Sequence, residues 1–157
     1  MTFTGIPNPT DLAALPSEAT EKWGTFPGHM GGANFAQLVG LQLEEVRADY
    51  ARMRVPWRPE IRQPAGMMHG GALATLVDTV VVPAIAGAYE QVPVMLTLNL
   101  SLSYLGGILD SDAIAHGWVT RRGRSIVFCE AVVADESGNL AVRGTLTYKV
   151  STPRPTN

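Results

Sequence analysis

The chain has 157 residues, enough for one domain with a real core and too few for two. Apolar residues make up 46% and charged ones 17%, with a net charge of −2. This excludes a disordered chain and argues against nucleic-acid binding through a basic surface. The low charge of so small a domain points to surface covered by other subunits.

A lone cysteine, Cys129, excludes an internal disulfide and fits a reducing compartment. No apolar stretch follows an early positive charge, since the first is Lys22, so the expectation is a cytoplasmic protein without a secretory signal. The longest uncharged run, 91–109, has the length of a membrane span. Its polar residues Thr97, Asn99, Ser101 and Ser103 alternate as on a strand, so no membrane segment is expected.

In chain order, 1–33 is broken by Gly5, Pro7, Pro9, Pro16, Pro27 and Gly28 and reads as an N-terminal extension laid over the domain. "PTDLAALPSEATEKW" within it is compatible with a turn or two of helix. The domain proper is expected at 34–150, with a frayed tail at 151–157. "LQLEEV" and "YARMRVPW" read as strands joined by a turn near Ala48 and Asp49. The loop "RPEIRQPAGMMH" leads into an apolar run, Gly71 to Ala88, too long for one strand and without period-2 alternation. It reads as a helix buried all round, bent at Pro83 and dependent on packing because it is rich in valine.

Four strand-like runs follow, Val94–Leu105, Asp112–Arg122, Ser125–Asp135 and Leu140–Val150. Their short connections "GGILDS", "GR" and "ESGN" predict antiparallel neighbours. Two strands, a helix and four strands give an α+β architecture: an antiparallel sheet of about six strands wrapped around one long central helix.

His69, Gly70 and Gly71 stand where the loop meets this helix. The first N–H groups of a helix lack intrahelical acceptors and carry its positive dipole end. Glycine there admits close approach, which suits a thioester or ester oxygen gaining charge under attack. A plain helix cap is the competing reading. Asp78 is the one ionisable side chain of the helix, in a segment with no solvated face by the sequence pattern. Such an acid is either a structural hydrogen-bond acceptor or a base or nucleophile beside a cleft. Gly70 and Asp78 are eight residues apart, about 12 Å along a helix axis. One carbonyl cannot reach both in the same chain, so shared work predicts a dimer with sites at its interface.

"QPAGMMHGGALATLVD" resembles the hotdog-fold acyl-CoA thioesterases, the group with the phenylacetate-pathway (PaaI-type) enzymes and their mammalian acyl-CoA thioesterase counterparts. It has their spacing: an amide, His-Gly-Gly six residues later, and an acid nine after the histidine. The resemblance covers about 34–150. It implies a thioester hydrolase without metal or cofactor, acting on acyl-CoA as a dimer or pair of dimers. By position, Gly70 donates its N–H to the carbonyl, with Gly71 beside it, and His69 shapes the site. Asp78 from the other subunit activates water or attacks, Gln63 orients water or acid, and Thr97 brings a hydroxyl near the acid. The turn "RRGRS", with Arg121, Arg122, Gly123, Arg124 and Ser125, corresponds to one near the CoA phosphates, or is a solvated hairpin tip. A non-catalytic acyl-CoA binder and a thioesterase for acyl carrier protein remain as alternatives.

"TFPGHMGG" also echoes hotdog dehydratases acting on acyl carrier protein. Thr25 and Val39 stand where those enzymes place a proton-carrying His and Glu, which argues against dehydration. The three histidines lack metal-ligand spacing. His116 reads as a strand residue and Cys129 as a packed one.

Overall fold

The computed structural model describes residues 5–27 and 34–151. Two strands, β1 (Gln42–Arg47) and β2 (Tyr50–Val55), meet at a tight turn where Asp49 adopts a positive φ of 63°. Helix α3 (Gly70–Ala86) follows, then β3 (Val94–Tyr104), β4 (Ala113–Arg122), β5 (Ile126–Asp135) and β6 (Leu140–Ser151). The six strands form one antiparallel sheet in the order β1-β2-β4-β5-β6-β3, curled around α3.

One connection departs from the expected neighbour pairing. β3 does not pair with β4; it lies at the far edge, on β6. "GGILDS" is a crossing strap and not a hairpin. The Leu105 and Gly106 N–H groups donate to the Ala141 carbonyl, and the Ile108 carbonyl accepts from Met68 N–H. Ile108 itself is fully buried, so the strap is held by core packing as well as by backbone bonds.

The concave side is built from alternate strand residues against α3. Leu76, Val77, Val80, Val81 and Ile85 of the helix are fully buried. Two glycines let the helix lie close: a Cβ at Gly117 on β4 would come within 2.7 Å of Val80 Cγ1, and one at Gly144 on β6 within 2.8 Å of Val77 Cγ1. The helix is not buried all round, however. Gly71, Thr75, Asp78, Thr79 and Val82 form a stripe that is exposed or half-exposed. Their spacing is that of one helix face. The sheet curls around α3 as far as its edge strand β3, whose Thr97 and Tyr104 reach Asp78 and Gly70, and the stripe stays partly open beyond that edge. Asp78 therefore sits on a partly solvated face, contrary to the sequence expectation, and its charge is not sealed in the core.

The N-terminal part of the chain adds to both faces of the sheet. A 3-10 turn (Pro9–Asp11) precedes α1 (Ser17–Gly24), and α2 (Phe35–Val39) leads into β1. Trp23 and Phe26 join the main core. On the convex side, Ile6 and Leu12 cover a second small cluster of Tyr50, Trp118 and Val132. Tyr50 is fully buried and its hydroxyl lies 2.8 Å from His116 Nδ1. His29, Gly31 and Gly32, the second histidine-glycine combination in "TFPGHMGG", lie outside the described residues.

Candidate active site

The loop before α3 is pinned at each end of the motif. Gly66 N–H donates to the Gln63 carbonyl (2.9 Å) and Gln63 N–H to Met67 O (2.8 Å), closing a tight turn in which Gly66 has φ +88°. His69 N–H donates to Ile61 O at 2.7 Å. His69 is the N-cap: its Nδ1 accepts from Gly71 N–H at 2.8 Å, which satisfies one of the orphan donors of the first turn. A Cβ on Gly71 would lie 2.9 Å from that nitrogen, so a larger residue there would push the capping ring aside.

Gly70 opens the helix, so its N–H has no intrahelical acceptor. No acceptor for it occurs among the described residues. Tyr104 of β3 lies against Gly70: its hydroxyl donates to the Gly70 carbonyl at 2.9 Å, and a Cβ there would stand 3.3 Å from the ring. Around this point is a cleft of about 480 Å³, with Gln63, Met67, Gly70, Leu73, Tyr104 and Gly107 on its walls. Gln63 and Gly70 thus share one cavity, a polar amide and a helix-end N–H in an otherwise largely apolar wall.

Asp78 is two turns further along α3 and is not on the walls of that cleft. Its Oδ1 accepts from Thr97 Oγ1 at 3.0 Å and from the Tyr148 hydroxyl at 2.7 Å, and that phenol also lies 2.7 Å from the Asp78 backbone carbonyl. Thr97 and Tyr148 are direct cross-strand partners of β3 and β6, so both hydroxyls point to the helix side. A bulge between Thr97 and Asn99 follows at once, where Leu98 is the extra residue. Bulges bend a strand locally and re-aim its side chains. Burial raises the Tyr148 phenol far above its ordinary range, and the Asp78 charge adds to this against the Thr97 hydroxyl. The phenol stays protonated and acts as a donor.

The basic turn divides in two. Arg122 turns inward: Nη2 pairs with Asp49 and donates to Ile85 O at the end of α3 (3.1 Å), while the guanidinium lies 5.1 Å from the Tyr89 ring centre. Its charge complements the negative C-terminal end of the helix. Arg121 and Arg124 are exposed. Arg124 borders a cleft of about 290 Å³ with Tyr89, Gln91, Pro93 and Ser151. Gly123 N–H donates to Ile126 O (2.8 Å), where a Cβ would clash at 2.9 Å, and the Ser125 carbonyl accepts from Val150 N–H.

The candidate residues accordingly fall into three places in one chain: Gln63, His69, Gly70 and Gly71 at the helix start, Asp78 with Thr97 at mid-helix, and Arg122 to Ser125 at the helix end. Tyr104 and Tyr148 were not among the residues singled out by sequence. Both act through cross-sheet geometry that no local pattern displays. Among the described residues, no three His, Cys, Asp or Glu side chains converge to hold a metal, and no helix is long and apolar enough to cross a membrane.

Residues 65–142 match the family model of the thioesterase superfamily. A Deinococcus radiodurans protein provisionally named an esterase is 29% identical over 144 residues, covering 85% of this chain and 84% of its own length. A conserved protein of Pseudomonas aeruginosa superposes with a TM-score of 0.71 at 25% identity, over 80% of this chain and 99% of that one. The Escherichia coli PaaI protein of the phenylacetic acid degradation operon has the same fold, with a TM-score of 0.76 at 13% identity, covering 88% and 96%. The wrapped central helix and these matches together define the class: the chain has the hotdog fold, and its residues 65–142 match the thioesterase superfamily.

Proposed function

We propose that the protein hydrolyses an acyl-CoA thioester in a site shared between two copies of the chain. The observation that carries this reading is the placement of Asp78. Its carboxylate is held on the open stripe of α3, apart from the Gln63 and Gly70 cleft of its own chain. Beside that stripe runs β3, an edge strand of 11 residues. Its Leu96 and Leu98 are 57% and 55% exposed, with Val94 and Leu100 also open. A long apolar edge with unpaired backbone groups is a template for another strand. Pairing it with the β3 of a second copy covers the edge and turns two α3 stripes toward each other, so that the partner's Asp78 serves the cleft of the first chain.

In such a site Gly70 N–H receives the thioester oxygen and stabilises its charge at the positive helix end. Gln63 orients the attacking group. The partner's Asp78 acts as base or nucleophile. As a base it takes a proton from water while the oxygen bonds the carbonyl carbon; the C–S bond then breaks, and the CoA thiolate leaves and takes up the proton. As a nucleophile its oxygen bonds the carbonyl carbon, the C–S bond breaks and the CoA thiolate leaves and is protonated; water then opens the mixed anhydride to the free acid and restores the Asp78 carboxylate. Arg124, free at the mouth of its cleft, is the cation available to a CoA phosphate.

A panel of acyl-CoA and acyl carrier protein thioesters of the same acyl groups tests the reading. Hydrolysis of CoA thioesters is expected, and Asp78→Asn should lower kcat by roughly a hundredfold or more while acyl-CoA still binds. Binding without turnover by the parent chain would make it an acyl-CoA binder. Preference for the carrier-protein thioester would move the substrate class.

A further inference from the structure

We propose that Tyr148 is a positioning residue for Asp78: with Thr97 it clamps carboxylate oxygen Oδ1 and leaves Oδ2 as the oxygen that meets water or the thioester carbon. The inference rests on the thioesterase reading and adds a residue to it. Two hydroxyls donate to the same oxygen, at 2.7 Å from Tyr148 and 3.0 Å from Thr97. Among the described residues no donor reaches Oδ2.

An aspartate on a half-exposed helix face has several staggered rotamers open to it. A reacting group has to be held within about 0.5 Å of its productive position. Tyr148 meets that need because it is itself fixed. Its side chain is 3% exposed, seated in the core on a strand paired on both sides, with Thr97 across one ladder and Val127 across the other. The same phenol also touches the Asp78 backbone carbonyl at 2.7 Å. The helix backbone and the side chain of one residue are thereby tied to a single rigid point. A residue needed only to fill the core could bury a phenyl ring there. Contact with both the carbonyl and the carboxylate is what assigns the hydroxyl to orientation. Burial keeps the phenol protonated, so toward Asp78 it is a donor, its one proton shared between the carboxylate Oδ1 and the backbone carbonyl.

The test is Tyr148→Phe in the full chain, which keeps the ring and removes the hydroxyl, assayed on an acyl-CoA that the parent turns over. Loss of a hydrogen bond to a charged group corresponds to a fall in kcat of about ten- to a hundredfold, with KM changed less than about twofold. In an Asp78→Asn background the same substitution should leave the residual rate unchanged, because Tyr148 acts through Asp78. Thr97→Val, at the exposed edge and outside the core, removes the other donor and should lower kcat at least about threefold on the same grounds. Melting temperatures of all variants separate folding from catalysis. The inference is overturned if Tyr148→Phe keeps kcat within twofold of the parent, or if it lowers the Asp78→Asn rate by the same factor as the parent rate. It is also overturned if Thr97→Val leaves kcat unchanged. Failure of the parent to turn over any thioester overturns the thioesterase reading and this inference together, which distinguishes it from failure of the clamp alone.

Discussion

Two arginines two positions apart, Arg122 and Arg124, show how neighbours of one charge take up different tasks. Arg122 joins Asp49, the Ile85 carbonyl and the Tyr89 ring, locking the end of α3 to the sheet. Arg122→Ala should lower stability by about 1–3 kcal/mol, read by chemical denaturation. Arg124→Ala should leave stability within about 0.5 kcal/mol of the parent and raise KM for a CoA thioester. Equal loss of stability in the two would contradict this division. His116 carries a second prediction. Its pKa lies below 6.5, chiefly because burial disfavours the charged ring and secondarily because of Arg52. The unfolded chain then binds the proton more readily than the folded one, so stability is full above pH 6.5 and falls as pH drops below it. His116→Gln should remove that part of the acid sensitivity, seen as a flatter melting-temperature profile between pH 7.5 and 5.5. Within the candidate site, the motif His69-Gly70-Gly71 and Asp78 stand out locally, because residue type and spacing carry them. Tyr148 does not, since its role depends on a register between residues 51 positions apart from Thr97.

At the scale of elements, the strand boundaries lie within about two residues of those expected, because turn formers punctuate every connection. The place of β3 was not legible. A short glycine-rich link suggests a hairpin, whereas buried Ile108, whose carbonyl accepts from Met68 N–H, anchors a strap that carries the chain from β3 across to β4. The open stripe on α3 is likewise hidden by half-covered Val82 and by the buried valines set between its members, which hydropathy counts together. The packed side of the helix has its own signature in the two close glycines. Gly117→Ala places a methyl 2.7 Å from Val80 and 3.0 Å from Val81. It should cost about 1–3 kcal/mol of stability, measured by thermal melting, with kcat per folded molecule unchanged. A stabilised or unaffected variant would mean that α3 has slack against β4.

For the whole molecule, a site divided between copies makes a distinctive prediction. Chains carrying Gln63→Ala and chains carrying Asp78→Asn should each be impaired alone. In a mixed dimer one site collects both lesions and the other has neither. Co-expression should therefore restore up to roughly a quarter of parent activity, half the dimers having one intact site. No recovery in verified mixed dimers would place both residues in a site of one chain. Leu98→Glu on β3 should give monomers by sedimentation and abolish turnover, since a charge at a paired edge opposes strand addition.

The seating of β3 on β6 also sets an order of events in time. Asp78 and Thr97 leave the ribosome well before Tyr148, and β3 has no sheet neighbour within its own chain until the last strand emerges. Throughout that interval an apolar ribbon of 11 residues is without its partner. The nascent chain is then at its most adhesive, and a message cut short before β6 would yield a product that sticks and cannot work. The phenol that bonds Asp78 and the strand that pairs with β3 both arrive with the final dozen described residues.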